Sequence, residues 1–494
     1  MRLSPRSLLL ASTLSMTITA PGHAQTAAAA PTQTLRDALA AAYENNPTLT
    51  AARSGQRAID ENVPIARADG LPDVGVSVGY TEGLRADSSP ARFAGAQGQI
   101  NIPIYQGGLV RNSIRSARAR VESGQARLRD TEAAVFSQVV GAYMDVLRDE
   151  AVVALNRNNV EVLSVNLQAT QDRFDIGDLT RTDVAQSQAR LALARGNLEA
   201  AEARLIGSRE SYINLVGQAP GDLAAPPPLP GLPADSETAV VTALAENPDL
   251  EAAQIDAQAS GFDVRAARSG RLPRVSFTTN GSYSDFLGSI STTVPGLAAR
   301  QTQTTASTGV NVTIPLFQGG QPAARVRQAQ ARESQALEQV IGVERSVIAQ
   351  TRAAFASLRG ARAVAQSSEV AVSASRLSLE GVRAENSVGS RTILDILNAE
   401  QELLNAQVQL VSARRDAYVA GFTLLAAMGR AEAEDLGIAT GEALYDPAAN
   451  YARVDGMIWD WDEDPAPQPV ATRTVNSTAQ SATLPAGEVP ELAQ

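Results

Sequence analysis

The side chains that could do chemistry in this sequence are carboxylates and guanidinium groups, because the usual nucleophiles and bases are missing. The 494 residues include no Cys, no Lys and a single His, His23, which lies in a segment that we expect to be removed. A Cys nucleophile, a Cys-based zinc site, a Schiff-base Lys and a His general base are therefore excluded. An enzyme that works through Asp and Glu alone stays open, but the sequence identifies no catalytic residue, no cofactor site and no metal site. The formal net charge of -11 argues against a nucleic-acid-binding surface.

Two carboxylates, Asp183 and Asp395, are singled out by their surroundings. Each stands six residues after a Gly and three residues after a Thr, a spacing typical of a helix end, a tight turn and the start of a new helix. A carboxylate in a first helical turn is favoured by the helix dipole, so a solvated end-cap is one interpretation of both residues.

The matched spacing belongs to a longer internal repeat. An Asn-Pro-x-Leu segment occurs twice, 201 residues apart, and the segment Ile-Pro-(Ile/Leu)-(Tyr/Phe)-Gln-Gly-Gly occurs twice, 212 residues apart. We predict two copies of one unit joined by a Pro-rich linker. The predicted divisions are a first repeat over residues 25–218, the linker over 219–235 and a second repeat over 236–429.

Each repeat carries two segments in which apolar and polar residues alternate with the period of a β-strand. They cover about residues 72–82 and 94–104 in the first repeat and about 274–284 and 307–317 in the second. Each has about the length of a tilted membrane-spanning strand, although two ordinary soluble hairpins fit the pattern equally well. On the membrane interpretation, the strand positions that face lipid are Val76, Val78, Ile102, Ile314 and Leu316, whereas Ser77, Gln99 and Asn311 face the lumen.

Long helices must position both the strands and the aspartates. Residues 109–174 show apolar and small residues at steps of three and four, which predicts one helix of roughly 99 Å. The shorter helices over 47–69 and 180–215 together reach nearly the same length, so we expect them to lie end to end beside it. Four strands cannot close a barrel, and open edges are not tolerated in lipid. The predicted fold is therefore an α+β membrane protein in which a trimer forms a long α-helical barrel, or tunnel, and a joint transmembrane β-barrel with four strands per chain.

Both ends of the chain are expected to lie outside the repeats. Residues 1–24 have a basic start, a short apolar run and a small residue, Ala24, which is typical of a cleaved secretory signal peptide. Residues 430–464 are predicted to form a C-terminal segment near the middle of the tunnel. Residues 465–494, rich in Pro, Ala, Ser and Thr, are predicted to be disordered.

Together these features resemble the TolC family of outer-membrane export channels over about residues 34–445. The resemblance rests on the two Asn-Pro-x-Leu starts, the two Gln-Gly-Gly strand exits and the two hairpin tips. It implies a homotrimer in the outer membrane of a Gram-negative bacterium, with a tunnel that extends into the periplasm, and a transport role instead of an enzymatic one. The implied partners are outer-membrane lipid, a periplasmic adaptor (membrane fusion protein) and an inner-membrane pump. An ABC pump would indicate type I protein secretion, and a proton-driven pump would indicate drug efflux.

The resemblance also implies where the tunnel is closed. Asp395 corresponds to a ring of acidic side chains at the constriction. Asn398 stands where the family has a second acidic ring, which would be neutral in this protein. The residues that correspond to closing contacts between the tips are Thr182, Asp183, Asn386 and Arg391, with Asn386 in place of a family Tyr.

Two other protein classes share the long helical hairpins. A periplasmic adaptor usually has one such hairpin flanked by β-domains, whereas this sequence has two hairpins, each with paired strands. A coiled-coil scaffold does not explain strand pairs inserted at the same place in both repeats. Both classes are therefore alternatives to the export channel.

Overall fold

The computed structural model describes residues 32–84, 90–291, 298–438 and 444–484 of the chain. Within these ranges the protein consists of two hairpins of long α-helices and one four-stranded antiparallel sheet. None of the described helices combines the length and the apolar character that a membrane crossing requires. The predicted signal peptide, residues 1–24, lies outside the described residues.

The helices of the two hairpins have matching lengths and order. In the first hairpin they are α1 (Leu35–Asn45), α2 (Pro47–Asp60), α3 (Asn62–Ala68), α4 (Leu109–Asp175) and α5 (Arg181–Val216). In the second they are α6 (Ser236–Glu246), α7 (Pro248–Arg268), α8 (Gln321–Ser387) and α9 (Ile393–Ala427), and α10 (Pro447–Val454) follows.

An Asn-Pro pair starts α2 and α7. Asn46 Oδ1 accepts a hydrogen bond from the backbone N–H two residues ahead at 2.8 Å, and Pro47 is the first residue of α2. Asn is a favoured N-cap, and Pro needs no hydrogen-bond partner at the first helical position. The helix predicted over 47–69 is divided after Asp60, whose carbonyl group the ring of Pro64 would crowd.

The two longest helices, α4 and α8, are unbroken over 67 residues each, so each is about 100 Å long. α2, α3 and α5 pack along α4, with α2 and α3 at its N-terminal part and α5 at its C-terminal part. α7 and α9 lie between α4 and α8 in the same way. A Cβ atom at Gly124 of α4 would lie 2.2 Å from Gln56 Oε1, so any other residue at this position would require the Gln56 side chain of α2 to move.

The largest apolar cluster lies where α1, α4 and α5 meet the linker, near the middle of α4. Phe136, Tyr143 and Tyr212 are fully buried there. The Tyr143 hydroxyl donates to the backbone oxygen of Ala224, 2.6 Å away in the linker. The linker is thus attached to the long helix by a buried side chain.

The sheet lies at the end of the hairpins where α4 and α8 begin. Its strands are β1 (Asp73–Glu82), β2 (Arg92–Tyr105), β3 (Arg274–Asp285) and β4 (Thr302–Thr313). They pair antiparallel in the order β1-β2-β3-β4, with a register shift in β2 between Pro103 and Tyr105. β1 and β4 are therefore the two edge strands.

β4 differs from the strand predicted over 307–317. It spans Thr302–Thr313, so it starts and ends several residues earlier. Pro315 has no N–H group to donate to a neighbouring strand, which accounts for the early end. Ile314 and Leu316 follow the strand instead of belonging to it, so their assignment as strand positions is corrected, and the lipid-facing role of both residues stays a prediction.

The C-terminal segment predicted near the middle of the tunnel is only partly there. Residues 430–438 lie at that level, where Arg430 pairs with Glu246 of α6 at 2.6 Å. α10 lies instead along α2 and α3, toward the sheet. The difference arises because Tyr451 of α10 packs against apolar side chains of α2, α3 and α4 near the strands.

The described part of the Pro-rich tail, residues 465–484, contains no helix or strand but has defined contacts. The Gln480 N–H group donates to Glu210 of α5 at 3.2 Å, and Leu484 packs against the central apolar cluster. For residues 465–484 this placement differs from the predicted disorder, and residues 485–494, the rest of that prediction, lie outside the described residues. The physical reason is that a few apolar and backbone groups of the tail find partners on the outside of α5.

Candidate functional site

The tip of the first hairpin is a tight turn between α4 and α5. Gly177 adopts a positive φ of 85°, a conformation that Gly adopts without strain, and so ends α4. The Asp178 N–H group closes the turn on the carbonyl of Arg173 at 2.9 Å. The side chains of Arg173 and Asp178 also form an ion pair at 2.6 Å. The turn is therefore held by both backbone and side-chain contacts.

The tip of the second hairpin is built in the same way between α8 and α9. Gly389 has a φ of 82° and ends α8. Arg391 pairs through Nε with Glu385 at 2.7 Å, and Asn386 Nδ2 donates to the backbone oxygen of Arg391 at 2.7 Å. The Glu385 contact raises the pKa of the Arg391 guanidinium, so this group is cationic at every physiological pH.

Asp183 and Asp395 occupy equivalent places at the starts of α5 and α9. Asp395 Oδ2 accepts from the Thr392 N–H at 2.9 Å and from its hydroxyl at 2.8 Å, and Asp183 does the same with Thr180 at 2.9 and 2.7 Å. The backbone hydrogen bond from Thr392 lowers the pKa of Asp395 most, and the side-chain hydrogen bond from Thr180 lowers the pKa of Asp183 most. Both carboxylates are thus ionised helix caps within the single chain.

Within one chain, the predicted closing residues have partners on their own hairpins. Asn386 donates to the backbone of Arg391, and Arg391 pairs with Glu385, whereas Asp183 contacts Thr180. Thr182, the second residue of α5, is exposed. In the described part of the chain, the hydrogen bonds and ion pairs of Asp183, Asn386 and Arg391 therefore lie within one hairpin each.

Asn398 lies one turn beyond Asp395 and joins the two hairpins. Its Oδ1 atom accepts from Arg190 Nη2 of α5 at 2.7 Å. The sequence identified Asn398 as a neutral position at the constriction but did not identify Arg190 as its partner. The site at this level is therefore an amide with a cation beside it.

A buried carboxylate close to the tips was missed by the sequence analysis. The Glu400 side chain is only 4% exposed, and it accepts from Asn166 Nδ2 of α4 and from Arg383 Nη2 of α8, all at 3.0 Å. It therefore connects three helices of the two hairpins. The signal was present, because Glu400 continues the buried stripe of Leu397 and Leu404 at steps of three and four.

The strand register places the three predicted lipid-facing residues that belong to strands, Val76, Val78 and Ile102, on one face of the sheet. Val76 and Val78 oppose Gly98 and Ala96 of β2, and these positions share their face with Ile102. That face continues through Phe277 and Val310 on the next two strands. The opposite face is polar, and its cross-strand row at one level consists of Ser77, Gln97, Ser282 and Thr305.

In the described ranges, no group of three or more His, Asp or Glu side chains is placed to hold a metal ion. The chemistry of the site consists of charged and amide groups at the hairpin tips and one apolar face on the sheet.

Comparison with known proteins identifies a family and two relatives. Residues 38–218 and 239–430 match the family described as outer membrane efflux protein. The chain is 34% identical over 434 residues to the outer membrane efflux protein BepC of Brucella suis, which covers 88% of this chain and 93% of BepC. It is 26% identical over 404 residues to the outer membrane protein TolC of Vibrio cholerae, which covers 80% of this chain and 90% of that protein.

A solved structure shows the same fold. The crystal structure of the Campylobacter jejuni CmeC outer membrane channel matches with a TM-score of 0.71 at 16% identity, and the match covers 85% of this chain and 89% of CmeC.

Proposed function

The chain belongs to the family of outer membrane efflux proteins, and on that premise we propose that three copies of it form one closed export channel. The protein is an outer-membrane export protein of the TolC family, a family of transport channels. The proposal concerns how its copies assemble, where the pathway narrows and which proteins work with it.

The observation that carries the proposal is the pair of unpaired edge strands. β1 and β4 are exposed along their whole length, and within the described residues their outer edges have no strand beside them. Such edges pair readily with another strand, and in lipid they must do so. Joining the β1 edge of one copy to the β4 edge of the next satisfies both edges, and three copies supply 12 strands, enough for a hollow barrel.

The helices support the same assembly. α8 lies at one side of the helical layer and leaves large apolar side chains uncovered, among them Val370 at 65% and Leu377 at 70% exposure. Uncovered apolar surface on this scale favours contact with another helix. In the assembly, α8 of one copy packs beside α2, α3 and α5 of the next, and the helices enclose a tunnel below the barrel.

The tunnel narrows at the hairpin tips, where three copies of Asp395 come together. Each carboxylate is already ionised by its cap contacts, so the three form a ring that attracts cations. Asn398 keeps the next ring neutral, and Arg190 beside it weakens the negative field further. Thr182, Asp183, Asn386 and Arg391 line the contacts between neighbouring tips that hold the tunnel closed.

The partners are a periplasmic adaptor and an inner-membrane pump, as in the channels that this chain resembles. The channel has no energy source of its own, so a pump must drive the export. A strain that lacks the gene distinguishes the two kinds of pump, because it becomes sensitive to small toxic compounds in the case of efflux and retains a protein substrate in the case of type I secretion.

The assembly is tested on protein extracted from outer membranes. Unheated samples should migrate on a denaturing gel as trimers, heated samples as monomers, and the unheated protein should insert into planar bilayers as a cation-selective pore. Monomeric migration without heating, together with no pore activity, would contradict the proposed channel.

A further inference from the structure

The C-terminal chain follows α2 and α3 toward the sheet. Starting beside α2, it passes along the helix pair and reaches the last turn of α3, so each successive contact lies closer to the strands. The guanidinium of Arg53 lies 5.0 Å from the centre of the Tyr445 ring, and Asn450 donates a hydrogen bond to Asp60 at 2.8 Å. Asp455 then forms an ion pair with Arg67.

Beyond Asp455 the chain turns and comes back. Asp464 pairs with Arg453 at 2.9 Å, so the ends of the intervening loop are held together. Farther on, Thr472 donates to Asn45 at 2.8 Å, at the level of the end of α1. Residues 456–463 are therefore the point of the C-terminal chain nearest the sheet, and we name them the Trp loop.

The Trp loop exposes apolar side chains that lack any cover. Ile458 is 71% exposed, Trp459 is 72% exposed and Trp461 is 83% exposed. A hydrogen bond of 3.2 Å from the Asp462 N–H group to the carbonyl of Trp459 closes the loop into a turn. The two Trp residues are the only ones in the protein, and both are placed at this tip.

The position of the loop indicates what covers it. Arg67, which holds Asp455, is the next-to-last residue of α3, and β1 begins at Asp73. The chain between them is folded into turns by hydrogen bonds from the Gly70 N–H to the Arg67 carbonyl at 2.8 Å and from the Leu71 N–H to the Ala68 carbonyl at 3.0 Å, so Asp73 lies well within the roughly 20 Å that an extended chain would span. Trp459 lies four residues beyond Asp455, which allows a reach of roughly 14 Å. The loop can therefore reach the level at which the sheet begins.

We propose that the Trp loop is a membrane anchor, in which Trp459 and Trp461 lie in the headgroup region of the periplasmic leaflet of the outer membrane. Trp is enriched at membrane–water interfaces because its ring is apolar and its N–H group is polar. The proposal rests on the proposed function, which places the sheet in that membrane.

The charge of the loop defines the lipid surface that it fits. Asp460 lies between the two Trp residues, and Asp462 and Glu463 follow them. These negative charges oppose contact with anionic headgroups. The loop therefore suits zwitterionic phospholipid, with the rings at the interface and the carboxylates in water. In a trimer the three loops would form three anchors around the base of the barrel.

The experiment uses the natural tryptophans as the only indole fluorophores of the full-length protein. The protein is reconstituted into phosphatidylcholine vesicles in which the acyl chains carry bromine, a contact quencher, either next to the headgroup or near the chain ends. We expect strong loss of Trp emission with the bromine next to the headgroup, weak loss with deep bromine and low accessibility to aqueous iodide. The Trp459→Phe and Trp461→Phe variants assign the loss to each ring.

Two results would overturn the anchor. Emission that iodide quenches and bromolipid does not would place the loop in water. Emission that neither quencher reaches would place it against protein, such as a second copy of the chain or an aqueous partner.

A matched pair of variants separates failure of the anchor from failure of the proposed channel. In a background with both Trp459→Phe and Trp461→Phe, Val78→Trp puts the indole on the apolar face of β1, and Ser77→Trp puts it on the polar face. Bromolipid should quench the first variant and spare the second. If this pair behaves as expected while the natural Trp residues are not quenched, the anchor alone is refuted. If Val78→Trp is not quenched, the sheet is not in the bilayer and the proposed function fails as well.

Discussion

Replacing Glu400 tests whether a buried carboxylate holds the two hairpins together near their tips. Glu400 of α9 accepts hydrogen bonds from Asn166 of α4 and from Arg383 of α8, each at 3.0 Å. Glu400→Ala removes both contacts, and Glu400→Gln keeps one carbonyl acceptor of similar shape. Arg383→Gln removes the cation and leaves the carboxylate in place.

The exposure of each group determines the size of the effect. The Arg383 side chain is 51% exposed, so water replaces its lost contact and the ion pair contributes at most about 1 kcal/mol. The part-buried Asn166 amide loses its acceptor, which costs about 1–3 kcal/mol. We therefore expect Glu400→Ala to destabilise the contact between α4 and α9 by about 2 kcal/mol, or roughly 30-fold in the population of separated hairpins.

Arg383→Gln should destabilise the contact more than Glu400→Ala does, because it leaves the charged Glu400 carboxylate without its cation. In Arg383→Gln the Glu400 carboxylate, 4% exposed, keeps only the Asn166 amide as donor, and a buried charge left with too few donors costs more than a neutral amide left without an acceptor. The order of damage is therefore Arg383→Gln first, Glu400→Ala second and Glu400→Gln last.

Amide hydrogen exchange in the first turns of α9 measures the separation directly, and single-channel conductance measures its consequence for the tunnel. In assembled channels, the exchange rate and the conductance should both be highest for Arg383→Gln, intermediate for Glu400→Ala and lowest for Glu400→Gln. If Arg383→Gln is milder than Glu400→Ala, the reasoning from buried charge is wrong. If none of the variants changes exchange in α9, the contact does not hold the hairpins together.

The other predictions concern the sheet, the constriction and the C-terminal segment. Val78→Arg should cost about 2–4 kcal/mol near the bilayer midplane, and Ser77→Arg should be mild; equal losses of trimer yield would refute the assignment of faces. Asp395→Ala should lower cation selectivity and Asn398→Asp should raise it, as measured by single-channel reversal potentials, and unchanged selectivity would place the constriction elsewhere. Burial raises the pKa of Glu432 from 4.5 to about 7, so its stabilising contribution is complete below the lower value and lost as the pH rises through about 7. Proteolysis of residues 430–438 should therefore increase with pH in this window, and the Gln variant at 432 should remove the dependence; a dependence that persists would assign it to another group.

The long helices and the hairpin tips could be predicted from the sequence because their signals are local. The steps of three and four residues in α4, the Gly that ends each long helix and the Thr that caps the next helix act within one or two turns. The helix predicted over 109–174 accordingly ends within one residue of the observed end of α4, at Asp175. The apolar face of the sheet was equally readable, since alternation in one strand fixes the face of each residue.

The features that were missed depend on contacts between distant segments. The first residues of β4 have few apolar side chains and belong to the strand because β3 lies beside them, so alternation alone shifted the prediction toward Ile314 and Leu316. Glu400 needed both Asn166 and Arg383, which come from two other helices. The course of the C-terminal chain depends on the ion pair of Asp455 with Arg67, whose partners are 388 residues apart.

α4 is about as long as α2, α3 and α5 taken end to end beside it. This match restricts where residues can be inserted into or deleted from the chain. Inserting one residue in α4 rotates every residue beyond it by about 100° and advances it by about 1.5 Å. The buried side chains of α4 would then point away from α5, and the tip of this hairpin would extend beyond the tips beside it. Deletions would have the reverse effect, and only a compensating change in the adjacent helix would restore both spacing and orientation. Variation in length is therefore expected in the connections between strands and in the C-terminal tail, while the helical layer keeps its residue count.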